Sequence, residues 1–216
     1  MARAIYLPER GLPPKPDADD PVDYYYKPLT AQLYRARLRL AGRLLGDGPY
    51  EHLIEIGYGS GIFLPELSRR TRRLAAIDIH PQVEPVRRML ETLGVEADLR
   101  EASLYELPYA DGEFDALVCL SVLEHLTDLA GALDEFRRVL RPGGVAVLGF
   151  PVRNAATDAF FRLVGYDPRA IHPSSHADIL RAADAHQGFT VERRGRVPDL
   201  LPTPVAAYAA CRCRAV

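Results

Sequence analysis

The sequence predicts an α/β fold: a mostly parallel sheet of seven strands, with helices on both faces and an antiparallel strand at the C-terminus. Three observations predict it. The stretch Leu53 to Gly61, LIEIGYGSG, runs from an apolar segment into three glycines at alternate positions. An apolar helical face of Ile62, Phe63, Leu64 and Leu67 follows. Downstream, short apolar runs alternate with amphipathic segments as far as Phe150, the pattern of parallel strands with right-handed crossovers. The tail then holds two strand-like segments, Phe189 to Val197 and Val205 to Arg212, joined by a Pro-rich turn. Strands so closely linked pair antiparallel.

The elements follow in order. Residues 1 to about 22 carry Pro8, Pro13, Pro14, Pro16 and Pro21, an extended arm rather than a core element. Tyr24, Tyr25 and Tyr26 come next; three adjacent rings cannot all face one way, so some anchor the arm and one can cover a ligand. Thr30 opens a helix with a face of Leu33, Leu38, Leu40, Leu44 and Leu45, ended by Gly46, Gly48 and Pro49. Leu53 to Ile56 is the first strand and Leu74 to Asp78 the second. A helix beginning near Pro81 and Pro85 runs to Leu93 and closes at Gly94. Glu96 to Ala102 forms a short strand, Leu107 to Gly112 a loop, and Phe114 to Ser121 a buried strand. The helix Leu129 to Leu140 is stopped by the RPGG of Arg141 to Gly144, and Val145 to Phe150 is the fifth strand. Ala155 to Val164 reads as helix, Gly165 to Ser175 as loop, and Ala177 to His186 as a helix ended by Gly188. RRTRR at Arg69 to Arg73 reads as a solvated helix end.

Composition narrows the function classes. The chain has 216 residues, 48% of them hydrophobic, enough to bury a core in one domain. A net charge of −2 and the lack of a basic stripe near the site argue against nucleic acid as partner. Cys119 reads as a small buried residue. Cys211 and Cys213 share a strand face but lack two further ligands for a metal, and three cysteines make no disulfide framework. The start MARAIYLPER has no signal-peptide apolar core and no apolar run reaches spanning length, so the expectation is a cytoplasmic protein without a membrane span.

Strand, glycine turn and helix together form the nucleotide-cradling corner of a Rossmann-like sheet. A dinucleotide fingerprint needs glycine at its sixth position; counted from Gly57 that place is Ile62, and from Gly59 it is Leu64. This disfavours a nicotinamide oxidoreductase. Glu55, two residues before the first glycine, would sit badly beside a pyrophosphate and well beside an ammonium group. Asp78 ends the second strand, 21 residues after Gly57, where a carboxylate can accept from both ribose hydroxyls; the plainer reading is a helix cap.

EIGYGSG resembles the first motif of the class I S-adenosylmethionine-dependent methyltransferases, and AIDIH their second. LYELPYADGEFDALVCLSVLEHL followed by LDEFRRVLRPGG resembles the later segments of the ubiquinone and menaquinone methyltransferase-like branch, which acts on small molecules. The resemblance covers about residues 50 to 151. It implies S-adenosyl-L-methionine as cofactor, with Gly57, Tyr58, Gly59 and Gly61 under its methionine moiety and Glu55 near its amino group. It further implies Asp78 on the ribose, Ile79 on adenine, Ser103 and Leu104 at the adenine edge, and Leu120 and Ser121 where the methyl group is presented. Tyr58 departs from the smaller residues usual there, and Ser103 from the usual acid. An arm over residues 1–28 precedes a methyltransferase domain over 29–216, with an insertion at about 152–176.

The activity expected is methyl transfer to a small, partly apolar acceptor, with O-methylation ahead of N- or C-methylation. The alternative is a regulatory protein that binds the cofactor without turning it over. His125, after the fourth strand, is the candidate general base, against a plain role in the pocket wall. Tyr24, Tyr25, His172 and His176 are candidate acceptor contacts, and Phe160, Phe161 and Tyr166 could line an apolar pocket. A metal held by His172, His176 and Asp178 is considered and set aside, because no acidic cluster supports it. The NPPY-like motif of methyltransferases acting on DNA or glutamine is absent after the fourth strand, which reads LSVLEH.

Overall fold

The computed structural model describes residues 5–16, 20–153, 172–202 and 206–216. A 3-10 helix, Pro21–Tyr25, leads into α1 (Ala31–Leu45). Then come β1 (Tyr50–Ile56), α2 (Leu64–Ser68), β2 (Thr71–Asp78), α3 (Val83–Thr92), β3 (Asp98–Glu101) and β4 (Phe114–Leu120). A second 3-10 helix, Leu123–His125, precedes α4 (Leu129–Val139) and β5 (Leu140–Pro151). After the undescribed segment come α5 (His176–Ala185), β6 (Phe189–Val197) and β7 (Tyr208–Ala215).

The seven strands form one sheet in the order β3-β2-β1-β4-β5-β7-β6. Pairing is parallel from β3 through β5, and β7 runs antiparallel between β5 and β6. The strand order reverses between β1 and β4, so their carboxyl ends diverge into a crevice, the place where open α/β sheets bind ligands.

Both faces of the sheet are covered, and the side chains sort by strand alternation. Ile54, Ile56, Leu117, Cys119 and Leu148 pack under α4 and α5 with Phe136 and Ile179. Leu53, Ala76, Val118 and Val147 pack on the other face with α1, α2 and α3. Cys211 and Cys213 are both buried, their sulfurs 3.8 Å apart.

Several boundaries differ from expectation. The helix after the glycines is a single turn and a half, because Gly61 to Phe63 complete a turn and Pro65 sits at its start. β5 begins at Leu140, which pairs with Phe114 across an irregular register, so the RPGG segment continues into the strand instead of forming a separate loop. β7 begins three residues later than expected, where Tyr208 meets both Pro151 and Val197. The basic run is a solvated helix end only in part: Arg69 caps α2 and is exposed, while Thr71 and the exposed Arg72 and Arg73 open β2. Arg70 is buried, paired with the buried Glu66 at 2.7 Å and donating to the carbonyls of Gly42 and Gly46. The helix expected at 155–164, with Phe160, Phe161 and Tyr166, lies outside the described residues.

Candidate active site

The glycine turn is built by backbone that side chains would obstruct. Gly57, Gly59 and Gly61 have φ of 75°, 51° and 70°, the left-handed region. A Cβ on Gly57 would lie 2.3 Å from Val122 Cγ2, and one on Gly61 2.6 Å from Val86 Cγ1. Asp78 locks this turn: its Oδ2 accepts from Gly59 N–H at 2.8 Å and its Oδ1 from Ile79 N–H at 2.7 Å. His80 reaches back to the Gly59 carbonyl at 3.0 Å, and its ring meets Tyr58 edge-on.

A cavity of ≈ 770 Å³ opens beside the turn, within the size range of sites for cofactor-sized ligands. Of the residues expected at the site, Glu55, Gly57, Tyr58, Gly59, Asp78, Ile79, Ser103, Leu104, Leu120, Ser121, His125 and Tyr25 line it. Gly61 does not; it faces α3, where its missing side chain admits Val86. Tyr24, His172 and His176 are not in the lining either. Tyr24 is 41% exposed and lies against Tyr34, with Lys27 over its ring. His176 opens α5 behind the Ser175–Asp178 capping box.

Two ionisable groups give the cavity its character. Glu55 is buried on the α1 face of β1, and its Oε2 has no hydrogen-bond partner among the described residues. Burial, with Asp78 nearby, raises its carboxyl well above the usual range. Arg37 of α1 also lines the cavity. It donates from Nε to the Tyr25 hydroxyl at 2.9 Å and from Nη1 to Ser121 Oγ at 3.3 Å, and lies over the Tyr34 ring at 4.6 Å. No carboxylate pairs with it among the described residues. Burial raises the pKa of Tyr25, which stays a neutral phenol and does not pair the guanidinium charge, felt also by the Glu124 carboxyl.

The wall at the end of β4 is strained and polar. Ser121, at φ 59°, is the one non-glycine residue in the left-handed region among those described. Its hydroxyl joins Arg37 to the buried Tyr208 of β7, whose own hydroxyl is 3.2 Å away. Glu124 lies buried behind this wall, its carboxyl pushed by burial up to about 7. The arm closes another side: Asp20 caps the first 3-10 helix and accepts from Ser60 N–H at 3.1 Å.

Arg37 and Asp20 carried no signal in the sequence. Arginines are common on helix surfaces, and nothing in the local pattern says that this one turns toward a cavity. Asp20 stands among four acids in a Pro-rich arm.

Comparison with known proteins gives the family. A methyltransferase-domain family model matches residues 54–148. The ubiquinone biosynthesis O-methyltransferase of Xanthomonas oryzae pv. oryzae is 30% identical over 179 residues, covering 78% of this chain and 70% of that protein. The chain belongs to the class I S-adenosylmethionine-dependent methyltransferases. The protein of the same name from Hahella chejuensis is 33% identical over 153 residues, and the match spans 63% of each chain. Among solved structures, the N-methyltransferase NodS of Bradyrhizobium japonicum WM9, in complex with S-adenosyl-L-homocysteine, superposes with a TM-score of 0.67 at 23% identity. It covers 94% of this chain and 96% of its own. Geranyl diphosphate C-methyltransferase from Streptomyces coelicolor A3(2) gives 0.69 at 18% identity over 87% and 81%. These neighbours share the fold. As a member of this methyltransferase family, the chain uses S-adenosyl-L-methionine as its cofactor. No helix among the described residues is long and apolar enough to cross a membrane.

Proposed function

We propose that this methyltransferase transfers the methyl group of S-adenosyl-L-methionine to an oxygen of a small, partly apolar acceptor. One observation carries the assignment of the donor site. A buried carboxylate with a partnerless oxygen, Glu55, and a cation without a carboxylate, Arg37, line the same cavity beside a glycine turn. That pair of opposite charges complements the ammonium and carboxylate of an amino-acid moiety. The bound cofactor supplies an electrophilic methyl group on a sulfonium.

The chain's own residues bind and orient. Gly57 and Gly59 let backbone approach the methionine end. Asp78 is already engaged with the turn: its Oδ1 accepts from both Ile79 and His80 N–H, while Oδ2 accepts from Gly59 N–H and retains acceptor capacity for a ribose hydroxyl. Ile79, 75% exposed at the cavity rim, offers an apolar face for the adenine. Ser103 Oγ accepts from Tyr105 N–H at 3.2 Å, so its hydroxyl hydrogen is the group it offers to a ring nitrogen. Leu120, Ser121 and His125 bound the region left for the acceptor, and alignment there does much of the catalytic work. His125 stands where it can take the acceptor's proton. The oxygen preference follows the ubiquinone biosynthesis O-methyltransferases, near 30% identity.

Titration calorimetry with S-adenosylhomocysteine tests the donor site. Tight binding is expected, with Arg37→Gln weakening it about 10- to 100-fold, the worth of a charged hydrogen bond. An unchanged affinity in the Arg37 variant overturns the assignment. Transfer of a labelled methyl group to a metabolite extract, with the product analysed for the modified atom, tests the acceptor class. A labelled nitrogen or carbon overturns O-methylation, and donor binding without any labelled product favours a regulatory protein.

A further inference from the structure

A cluster at the edge of the cavity, buried at Glu124 and exposed at His125, is not used by donor binding. Glu124, His125 and His172 each present a ligand atom, and these atoms all lie within 4.8 Å of one another. Glu124 is 2% exposed, and its Oε2 has no hydrogen-bond partner among the described residues. The rings of His125 and His172 meet edge-on with centroids 4.9 Å apart.

His172 is brought there by a built connection. Ser174, buried, donates its N–H to the Glu124 carbonyl at 3.3 Å and its hydroxyl to the Leu126 carbonyl at 2.6 Å. Arg153 donates to the His172 carbonyl at 3.1 Å. The segment preceding α5 is thus fastened to the 3-10 helix after β4, and three potential ligands from two distant stretches converge.

We propose that Glu124, His125 and His172 form a binding site for one divalent metal ion of the borderline class, such as Zn²⁺ or Co²⁺. Two imidazoles and one carboxylate suit these ions, whereas Mg²⁺ and Ca²⁺ prefer all-oxygen shells. Bonds near 2.1 Å in tetrahedral geometry place ligand atoms about 3.4 Å apart. The cluster reaches that spacing by contracting about an ångström, within the range of side-chain rotation. Three protein ligands leave a position open, and His125 borders the cavity, so the open position lies beside the acceptor region. That last consequence rests on the methyltransferase reading; the metal site itself does not.

The test uses the full chain, freed of metal with a chelator. Zn²⁺ is titrated against a competing chelating dye, and Co²⁺ is followed by its visible absorption. One tight Zn²⁺ per chain and intense Co²⁺ bands of low coordination number are expected. His172→Ala and Glu124→Gln should each weaken Zn²⁺ at least 100-fold, and Ser174→Ala about 10-fold, as for residues that orient ligands. His172→Ala should keep its affinity for S-adenosylhomocysteine, which shows that it folds and separates this proposal from the donor assignment. Absence of tight Zn²⁺ binding or of Co²⁺ bands in the unaltered protein overturns the site. So does tight binding that survives His172→Ala.

Discussion

At the scale of single residues, Glu55 is the most informative. It stands in a strand buried on both faces, a costly place for a carboxylate. Its raised pKa means that, without ligand, its contribution to stability is present below the usual carboxyl range and is lost as pH rises through the raised value. An ammonium partner favours the ionised form. Binding of S-adenosylhomocysteine is therefore expected to release a proton and to tighten as pH rises above the usual carboxyl range. Calorimetry in buffers of different ionisation enthalpy counts that proton. Glu55→Gln should abolish the release, and an equal release in wild type and variant would assign the proton elsewhere. Glu55 and the glycines were legible in the sequence because each breaks a local rule: an acid in an apolar strand, and repeated glycine before a helix. Arg37 broke no such rule and stayed invisible.

At the scale of elements, the Glu66–Arg70 pair shows how a short helix is held. α2 has only five residues, too few to persist by itself. Arg70 ties it to the end of α1 through the Gly42 and Gly46 carbonyls, at 2.8 and 2.6 Å. Glu66 also accepts from Tyr6 N–H at 2.9 Å, which fastens the arm to the same point. Glu66→Gln leaves the buried guanidinium with only the exposed Asp47 carboxylate at 4.0 Å as countercharge and should cost up to about 3–5 kcal/mol in denaturant unfolding. The double substitution Glu66→Met with Arg70→Met should recover part of that loss. A single variant as stable as wild type would show that the pair is dispensable. The run RRTRR looked like a solvated surface because sequence spacing does not tell which arginine turns inward.

At the scale of the whole molecule, the N-terminal residues meet the glycine turn beside the proposed donor site. Val22 and Tyr25 are buried against α1, and Asp20 bridges to Ser60 of the glycine turn. Removing the Asp20 side chain loses a cap worth about 0.5–2 kcal/mol and the link to the turn. Asp20→Ala is expected to speed release of S-adenosylhomocysteine in stopped-flow measurements and to raise amide exchange over residues 20–26. Unchanged release would make the arm a structural strap only.

The sequence by itself determined the sheet, the glycine turn and the family. Strand alternation, glycine spacing and an acid at a strand end are local rules, written within a few residues of each other. Only the tertiary structure decided which distant groups share the cavity and the cluster at its edge. Arg37 reaches Ser121 across 84 positions, and Ser174 reaches Leu126 across 48. Their meeting depends on helix docking and strand order, and no periodicity in the chain encodes such long-range contacts.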